Sequence, residues 1–206
     1  MSSFKMSSNA SATAFPPAMG RLIVLSGPSG SGKTSLIREA LASGDLPLRL
    51  AISATTRQPR PGEIDGQHYH FWTSERFLDA IHADKFLEHA KVYGHHYGTL
   101  REEVEPYLQR GINVLLEIDV QGGLQVQQQM PECITVFLRA STPQEYERRL
   151  RLRNTDSPAS LEKRLQSALE EIDIGSRSYQ FQIINDDLKQ AVQDFRRLVT
   201  NLPVST

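Results

Sequence analysis

Gly27-Pro28-Ser29-Gly30-Ser31-Gly32-Lys33-Thr34 is the segment from which the architecture of this chain follows. It matches the pattern G-x-x-x-x-G-K-S/T, in which glycines let several backbone N–H groups point at one anion. The apolar run 22–25 before it predicts a buried strand, and residues 35–41 after it predict a helix whose N-terminus adds its dipole to the site. We therefore expect a nucleoside triphosphate here, with Lys33 on its β- and γ-phosphates and the Thr34 hydroxyl on Mg²⁺.

The composition of the chain is that of an ordinary globular protein. Of its 206 residues, 39% are hydrophobic and 23% are charged, and a length of this order favours one compact domain, with room for a small inserted subdomain. The net charge of −1 predicts no general attraction to nucleic acid or to an anionic membrane. No apolar stretch reaches the roughly 18 residues that a membrane-spanning helix needs. Cys133 is the one cysteine, which excludes an internal disulfide and a multi-cysteine metal site, and we expect it to be buried beside an apolar strand.

The first 19 residues differ from the rest of the chain. They are rich in Ser and Ala and lack the apolar block of a secretory signal. We predict a flexible tail at 1–19, with Met19 as an alternative start, and a folded domain at 20–206. A cytoplasmic location is expected by default, and the sequence leaves the oligomeric state open, a homo-oligomer included.

Strand and helix patterns alternate along the domain, which predicts an α/β fold with a parallel sheet flanked by helices. Besides the first strand, strands are predicted at 48–52, 86–92, 112–119, 133–138 and 181–184. Besides the first helix, helices are predicted near 77–81, where Phe77, Leu78 and Ile81 would share the apolar face, at 99–110, from Thr142, at 158–174 and from about 187. Residues 53–72 contain prolines and glycines among many polar groups, so we expect a long irregular segment there.

Two acidic residues end an otherwise apolar strand, Glu117 and Asp119. After a phosphate loop, a carboxylate in this position is typical of the Mg²⁺ shell of phosphoryl-transfer proteins. The alternative is that both are ordinary polar residues at the end of a strand.

Arginines form two groups. Arg57 and Arg60 lie three residues apart among prolines, and two guanidinium groups match a phosphate dianion well. Tyr69 and Tyr97 could donate hydroxyl hydrogen bonds to the same anion. A second phosphate site beside a triphosphate site indicates transfer between two nucleotides.

The arginines of the second group lie between 148 and 164. Such a run is usually a solvated helix face with ion pairs along the helix. Alternatively it is a lid that brings guanidinium groups onto the transferring phosphoryl group, where one arginine contributes about 10³–10⁵ in rate.

Five segments, taken together, resemble the guanylate kinase family. They are the phosphate loop, Thr55-Thr56-Arg57-Gln58-Pro59-Arg60-Pro61-Gly62-Glu63-Ile64-Asp65-Gly66, Tyr97-Gly98-Thr99, Leu115-Leu116-Glu117-Ile118-Asp119-Val120-Gln121-Gly122 and Asn185-Asp186-Asp187. The resemblance runs from about residue 20 to the C-terminus. It implies a P-loop nucleoside monophosphate kinase fold with an inserted GMP-binding region near 53–100 and a helical lid near 141–165. It also implies Mg²⁺-dependent transfer of the γ-phosphoryl group of ATP to GMP or dGMP, giving ADP and GDP, in purine nucleotide metabolism.

The resemblance further implies the residues of the site. ATP would be bound by Gly27, Pro28, Ser29, Gly30, Ser31, Gly32, Lys33, Thr34, Ser35 and Asn185. GMP would be bound by Ser53, Arg57, Arg60, Tyr69, Glu88, Tyr97, Thr99, Glu117 and Asp119. The catalytic residues would be Lys33, Asp119, Arg149, Arg153 and Arg164, and Mg²⁺ would be held by Thr34 and, through water, by Asp119. Glu88 suits guanine, since guanine offers N1–H and its 2-amino group as adjacent donors whereas adenine has an acceptor at N1.

Three positions depart from the family pattern. His89, the pair His95-His96 and Asn154 stand where the family often has other residues, and we interpret the adjacent histidines as loop residues rather than a metal site. Two other functions stay open: a binding module of this fold without activity, and a phosphotransferase with another acceptor such as ribose 1,5-bisphosphate.

Overall fold

A computed structural model describes residues 19–92, 94–152 and 158–201, without the side chains of residues 150, 152 and 158–164. The strands are β1 Leu22–Ser26, β2 Leu48–Leu50, β3 Ala54–Thr55, β4 His70–Phe71, β5 Phe86–Val92, β6 His95–Leu100, β7 Asn113–Glu117, β8 Ile134–Arg139 and β9 Phe181–Ile184. The helices are α1 Lys33–Leu41, α2 Ser74–His82, α3 Glu105–Leu108, α4 Val120–Gln129, α5 Pro143–Leu152, α6 Pro158–Ser178 and α7 Leu188–Thr200. A 3-10 turn, Arg101–Glu103, precedes α3.

The core of the domain is a parallel five-stranded sheet in the order β2-β7-β1-β8-β9. Alternate residues of β1 point to opposite faces. Ile23 packs in a cluster with Leu36 of α1 and Phe195 of α7. Val24 packs in the other cluster with Val126 of α4. Helices therefore cover both faces, which explains the continuous apolar strands and confirms the predicted α/β class.

A second sheet, with the order β4-β3-β6-β5, is attached to the core at residues 54–100. It is mixed, because β3 pairs with β4 in parallel and with β6 in antiparallel fashion. Phe77 of α2 stacks on Phe86 of β5 with ring centroids 4.4 Å apart, and Trp72 lies against both rings. Residues 53–72 are mostly irregular, as predicted, and contribute only β3 and β4 to this sheet.

The helix predicted at 99–110 is wrong in its first half. Leu100 ends β6 and is buried with Phe77 and Phe86, so packing within the second sheet outweighs the helical spacing. Only α3 is α-helical in this region, and Pro106 lies in its first turn, where its missing N–H costs no hydrogen bond.

The apolar face predicted for α2 is wrong at one residue. Leu78 is 44% exposed, whereas Ala80 is buried beside Phe77. Phe77, Ala80 and Ile81 have the spacing i, i+3, i+4 and share the packed face, which leaves Leu78 on the solvent side.

Two expectations from composition can be compared with the structure. Cys133 is buried as predicted, and burial raises the pKa of its thiol to about 11. Among the described residues, none of the helices combines the length and the apolar character that crossing a membrane requires.

Candidate active site

A cleft of about 690 Å³ lies where the loops after the core strands meet the second sheet and α6. The loop after β1 is the phosphate loop, and the residues after β7 also border the cleft, as expected for a ligand site at the carboxyl edge of a parallel sheet. Its lining includes Gly27, Ser29, Lys33, Ser53, Tyr69, Glu88, Tyr97, Gly98, Glu117, Asp119, Gln121, Ser167, Glu170 and Glu171.

The phosphate loop is shaped for an anion. Gly30 and Gly32 have φ of 91° and 93°, the left-handed region in which glycine is favoured. Gly32 precedes α1 without a side-chain cap, so the first N–H groups of the helix point into the loop. The buried hydroxyl of Ser31 has no hydrogen-bond partner among the described residues. Lys33 Nζ donates to the carbonyl oxygens of the loop itself, Gly27 O and Pro28 O.

A hydroxyl and a carboxylate oxygen meet beside this loop. The Thr34 hydroxyl donates to Glu117 Oε1 over 2.7 Å. Asp119 caps α4 by accepting a hydrogen bond from the backbone N–H of Gly122 over 2.8 Å. Mg²⁺ prefers oxygen ligands and keeps several waters, so this donor set fits the predicted cation. Glu117, which was predicted to bind GMP, therefore contacts the first turn of α1 directly after the phosphate loop.

Asn185 connects the phosphate loop to the predicted lid. Its side-chain Nδ2 donates to the backbone oxygen of Ser31 over 2.7 Å, and its backbone carbonyl oxygen accepts a hydrogen bond from Arg149 Nη2 over 2.5 Å. Arg149 also donates to Glu145 and is 19% exposed. This chain of contacts joins Arg149, through Asn185, to Ser31 of the phosphate loop.

Two of the described arginines on α5 fit the solvated helix face, and one fits the interpretation as part of a lid. Arg148 and Arg151 are 60% and 64% exposed and pair with Glu145 and Glu147 along α5, as on a solvated helix face. Arg149 alone of the three turns toward the phosphate loop. Arg153, Asn154 and the side chain of Arg164 fall outside the described residues, so those assignments stay predictions.

Arg57, predicted for a second phosphate site whose role stays a prediction, is paired with a carboxylate. Its guanidinium group donates two hydrogen bonds to Glu63, of 2.7 and 2.9 Å, and lies 5.2 Å from the centre of the Tyr69 ring. Hydrogen bonds with Glu63 and Tyr97 raise the pKa of Arg57, and the guanidinium lowers the pKa of Glu63 to about 2. The backbone N–H of Arg60 donates to the same carboxylate over 2.7 Å, and the Arg60 side chain is exposed.

Glu63 is therefore a residue of this site to which the sequence interpretation gave no role. Its carboxylate orients Arg57 and fixes the turn at Arg60. The available signal was the regular spacing of Arg57, Arg60 and Glu63, three residues apart.

The buried carboxyl group of Glu88 lines another part of the cleft. Glu88 on β5 is 5% exposed and accepts a hydrogen bond of 2.7 Å from the Thr99 hydroxyl on β6. Burial, together with the charge of Asp119, raises the pKa of Glu88 to about 7. A Cβ atom at Gly122 would lie 2.7 Å from Glu88 Oε2, so α4 approaches this carboxyl closely only because residue 122 is glycine.

One face of α6 borders the cleft, and this contact was not predicted from the sequence. Ser167, Glu170, Glu171 and Ile174 have the spacing i, i+3, i+4, i+7, which places them on one side of the helix. Burial and the charge of Asp119 outweigh the attraction of Lys33 and raise the pKa of Glu171 to about 7. That polar face was visible in the spacing, but the pattern alone does not tell which side meets a cleft.

The prediction that the adjacent histidines are loop residues is wrong, because His95 and His96 begin strand β6. Within the ranges that the structure describes, no group of three or more His, Cys, Asp or Glu side chains is placed to hold a metal ion. His96 instead stacks on Phe77, with centroids 5.3 Å apart, and burial lowers its pKa.

Taken together, a parallel sheet flanked by helices and a phosphate loop after its central strand define an α/β P-loop kinase fold. The chain belongs to the guanylate kinase family, because the family model described as guanylate kinase matches residues 19–202. The family predicted from the sequence and its fold are thereby confirmed.

Individual relatives agree with this membership. The guanylate kinase of Fusobacterium nucleatum subsp. nucleatum is 46% identical over 186 residues, covering 89% of this chain and 97% of the relative. That of Escherichia coli O157:H7 is 42% identical over 183 residues, covering 88% of each chain. The crystal structure of guanylate kinase from Anaplasma phagocytophilum has a TM-score of 0.71 and 28% identity, covering 89% of this chain and 86% of that chain.

Proposed function

We propose that this kinase transfers the γ-phosphoryl group of ATP to GMP or dGMP with the help of Mg²⁺. The observation that carries the proposal is that one cleft is lined by the phosphate-loop lysine Lys33, by Tyr69 and Tyr97 beside Arg57, and by the buried carboxyl of Glu88. A triphosphate site and a monophosphate site open to the same space, as direct transfer requires.

The donor half of the site is the phosphate loop with Asn185. The N–H groups at the start of α1 would hold the β-phosphate, and Lys33 would exchange its bonds to Gly27 and Pro28 for bonds to phosphate oxygens. Thr34 would bind Mg²⁺, with Glu117 and Asp119 holding its water ligands. When bound, the cation neutralises charge on the β- and γ-phosphates.

The acceptor half combines charge with guanine recognition. Arg57, Arg60, Tyr69 and Tyr97 would bind the GMP phosphate, because charge-assisted hydrogen bonds from guanidinium match its oxygens. Ser53, Glu88 and Thr99 would bind the base. Glu88 would accept from N1–H and from the 2-amino group of guanine, and adenine would leave this buried carboxylate unpaired.

During transfer, a GMP phosphate oxygen would form the new bond to the γ-phosphorus while the bond to the bridging oxygen of ADP breaks. Lys33 and Arg149, with Arg153 and Arg164, would stabilise the charge on the transferring group. Closure of a lid near 141–165 over a GMP-binding region near 53–100 would exclude water and suppress ATP hydrolysis.

The remaining assignments also stay proposals. They are the tail at 1–19 and the domain at 20–206, the cytoplasmic location, the absence of a nucleic-acid or membrane partner, and the open oligomeric state.

The described geometry gives the two alternative functions less support. A binding module without activity has no need of Lys33, Thr34 and an arginine directed at the donor loop. A kinase for ribose 1,5-bisphosphate has no base to pair with Glu88, whose burial then destabilises the fold without a return in binding.

Two substitutions separate the halves of the site. Lys33→Ala should lower kcat by about 10³ or more, since a donor to transition-state charge is lost, and leave the Kd for GMP within about twofold. Arg57→Ala should raise the Kd for GMP by about 10–100-fold, since charge-assisted hydrogen bonds are lost. Isothermal titration calorimetry and a coupled ADP assay measure both.

Arg151→Ala is the matched control, since Arg151 pairs only with Glu147 on the exposed side of α5 among its described contacts. Unchanged GMP binding in Arg57→Ala would refute the acceptor site, and a fully active Lys33→Ala variant would refute the donor site.

A further inference from the structure

Glu103, in the 3-10 turn after β6, lies at a junction to which the proposed function assigns no role. Its side chain is 14% exposed and accepts hydrogen bonds from Arg49 Nη2 over 2.5 Å and from the backbone N–H of Ile52 over 3.2 Å. Its other carboxylate oxygen is 3.3 Å from His70 Nε2. Arg49 also donates to the backbone carbonyl oxygen of Glu103 over 2.9 Å.

These partners belong to different sheets. Arg49 lies on β2, the edge strand of the parallel core sheet, and His70 lies on β4, the edge strand of the second sheet. Arg49 is held in place by Tyr107, whose ring centre is 3.9 Å from the guanidinium carbon. One carboxylate therefore joins the core to the edge of the sheet that carries the acceptor side of the cleft.

The two segments that contact Glu103 through Ile52 and His70 each continue directly into a residue that lines the cleft. Ile52 precedes Ser53, and His70 follows Tyr69. The two segments also contact each other, because the backbone N–H of His70 donates to Ser53 O over 2.9 Å. A displacement of either segment would move Ser53 or Tyr69 relative to the phosphate loop.

The partners of Glu103 stabilise its carboxyl group as an anion. Burial alone would raise the pKa of the carboxyl, but the hydrogen bonds from Arg49, Ile52 and His70 outweigh burial and lower it. The group is therefore an anion at neutral pH, and its removal leaves Arg49 without a counter-charge at a half-buried position.

We infer that Glu103 is a positioning residue that sets the affinity for GMP by holding Ser53 and Tyr69 in register with the core sheet. The inference rests on the proposed function. Without the Glu103 junction, GMP itself would have to order both segments, and that cost would appear as weaker GMP binding. The ATP side is built on β1, α1 and Asn185, which Glu103 does not contact among the described residues.

The test is Glu103→Gln in the full-length protein. We expect KM and Kd for GMP to rise about tenfold, with KM for ATP and kcat at saturating substrates within about twofold of the original values. Trp72, the single tryptophan, lies directly after β4, so its fluorescence reports GMP binding at the second sheet. Urea unfolding of each variant shows whether it is folded under the assay conditions.

Glu105→Gln is the matched control, because Glu105 is two residues away and pairs with Arg101 rather than with either edge strand. It should leave both KM values unchanged. Should Glu103→Gln fail to fold, Arg49→Gln, which keeps the carboxylate on Ile52 and His70, should still raise KM for GMP selectively, by about threefold.

Equal increases of KM for ATP and GMP, or an unchanged Kd for GMP in a folded variant, would overturn the positioning role. If the unmodified protein itself binds no GMP, the proposed function fails, and this inference falls with it. The two failures are thus distinguishable.

Discussion

At the scale of single residues, Glu88 is where the proposed guanine binding most clearly opposes stability. Its pKa, raised from 4.5 to about 7, means that the folded state holds more protons than the unfolded state between those pH values. The free energy of unfolding therefore decreases as pH rises through this range. At 1.36 kcal/mol per unit, the shift corresponds to about 3 kcal/mol lost above pH 7.

Glu88→Gln should reverse this loss. Glutamine keeps an acceptor for the Thr99 hydroxyl and carries no charge, so we expect the variant to be about 2–3 kcal/mol more stable than the original protein at pH 8, without nucleotide. The gain should vanish near pH 4, where Glu88 is protonated in both states. Urea unfolding at pH 4, 6 and 8 measures the difference, and the contribution of Glu171 cancels because both proteins contain it.

The same variant should lose affinity for GMP. Glu102→Gln, at an exposed position, is the control and should change neither stability nor binding by a measurable amount. A Glu88→Gln variant that is less stable than the original protein at pH 8 would contradict the charge-burial account of Glu88.

At the scale of elements, the join between the phosphate loop and α1 depends on a glycine. Gly32 has φ of 93°, and an added Cβ would collide with Asn185 Nδ2. Gly32→Ala should therefore destabilise the fold by about 1–2 kcal/mol and abolish measurable ATP binding, while GMP binding persists. Thermal unfolding and calorimetry with each nucleotide test this.

Gly44→Ala is the control for that substitution. Gly44 also has a positive φ, 67°, but an added Cβ would meet nothing within 4 Å. It should show only the backbone cost, about 1 kcal/mol, with ATP affinity unchanged. If both variants bind ATP equally well, the close contact between Gly32 and Asn185 has no functional meaning.

Most elements of the core sheet could be predicted because their signal is local. β1 and β9 are short apolar runs between clear boundaries, and Thr142-Pro143 marks the start of α5 correctly. β6 could not be predicted, because its histidines, Tyr97 and Gly98 carry no apolar pattern. That strand exists because β3 and β5 pair with it on either side.

The site shows the same division between local and distant signals. Motif residues such as Lys33 and Arg57 could be proposed as phosphate ligands from the sequence, since the chemistry of phosphate binding favours these side chains in these spacings. Glu103 was not predictable, because its partner Arg49 is 54 residues away and the pair has meaning only after both sheets form. Carboxylates are frequent, so one without a motif gives no sequence signal.

At the scale of the whole molecule, the protein is a parallel core sheet that carries the phosphate loop and an attached mixed sheet that carries Glu88 and Tyr97. Cleft residues come from both sheets and from α6, so the Glu88 carboxyl and the Lys33 ammonium group border one cleft only in the complete fold. This architecture predicts a kinase that requires two nucleotides together, with the base of the acceptor read by Glu88.

The most direct test is ADP formation from ATP and Mg²⁺, measured in parallel with GMP, dGMP, AMP, UMP and ribose 1,5-bisphosphate. We predict ADP formation with GMP and dGMP only, and a preference of about 10⁴ or more in kcat/KM for GMP over AMP. Comparable rates with AMP, UMP or ribose 1,5-bisphosphate, or ADP formation that does not depend on the acceptor, would contradict the assignment of the two-nucleotide site.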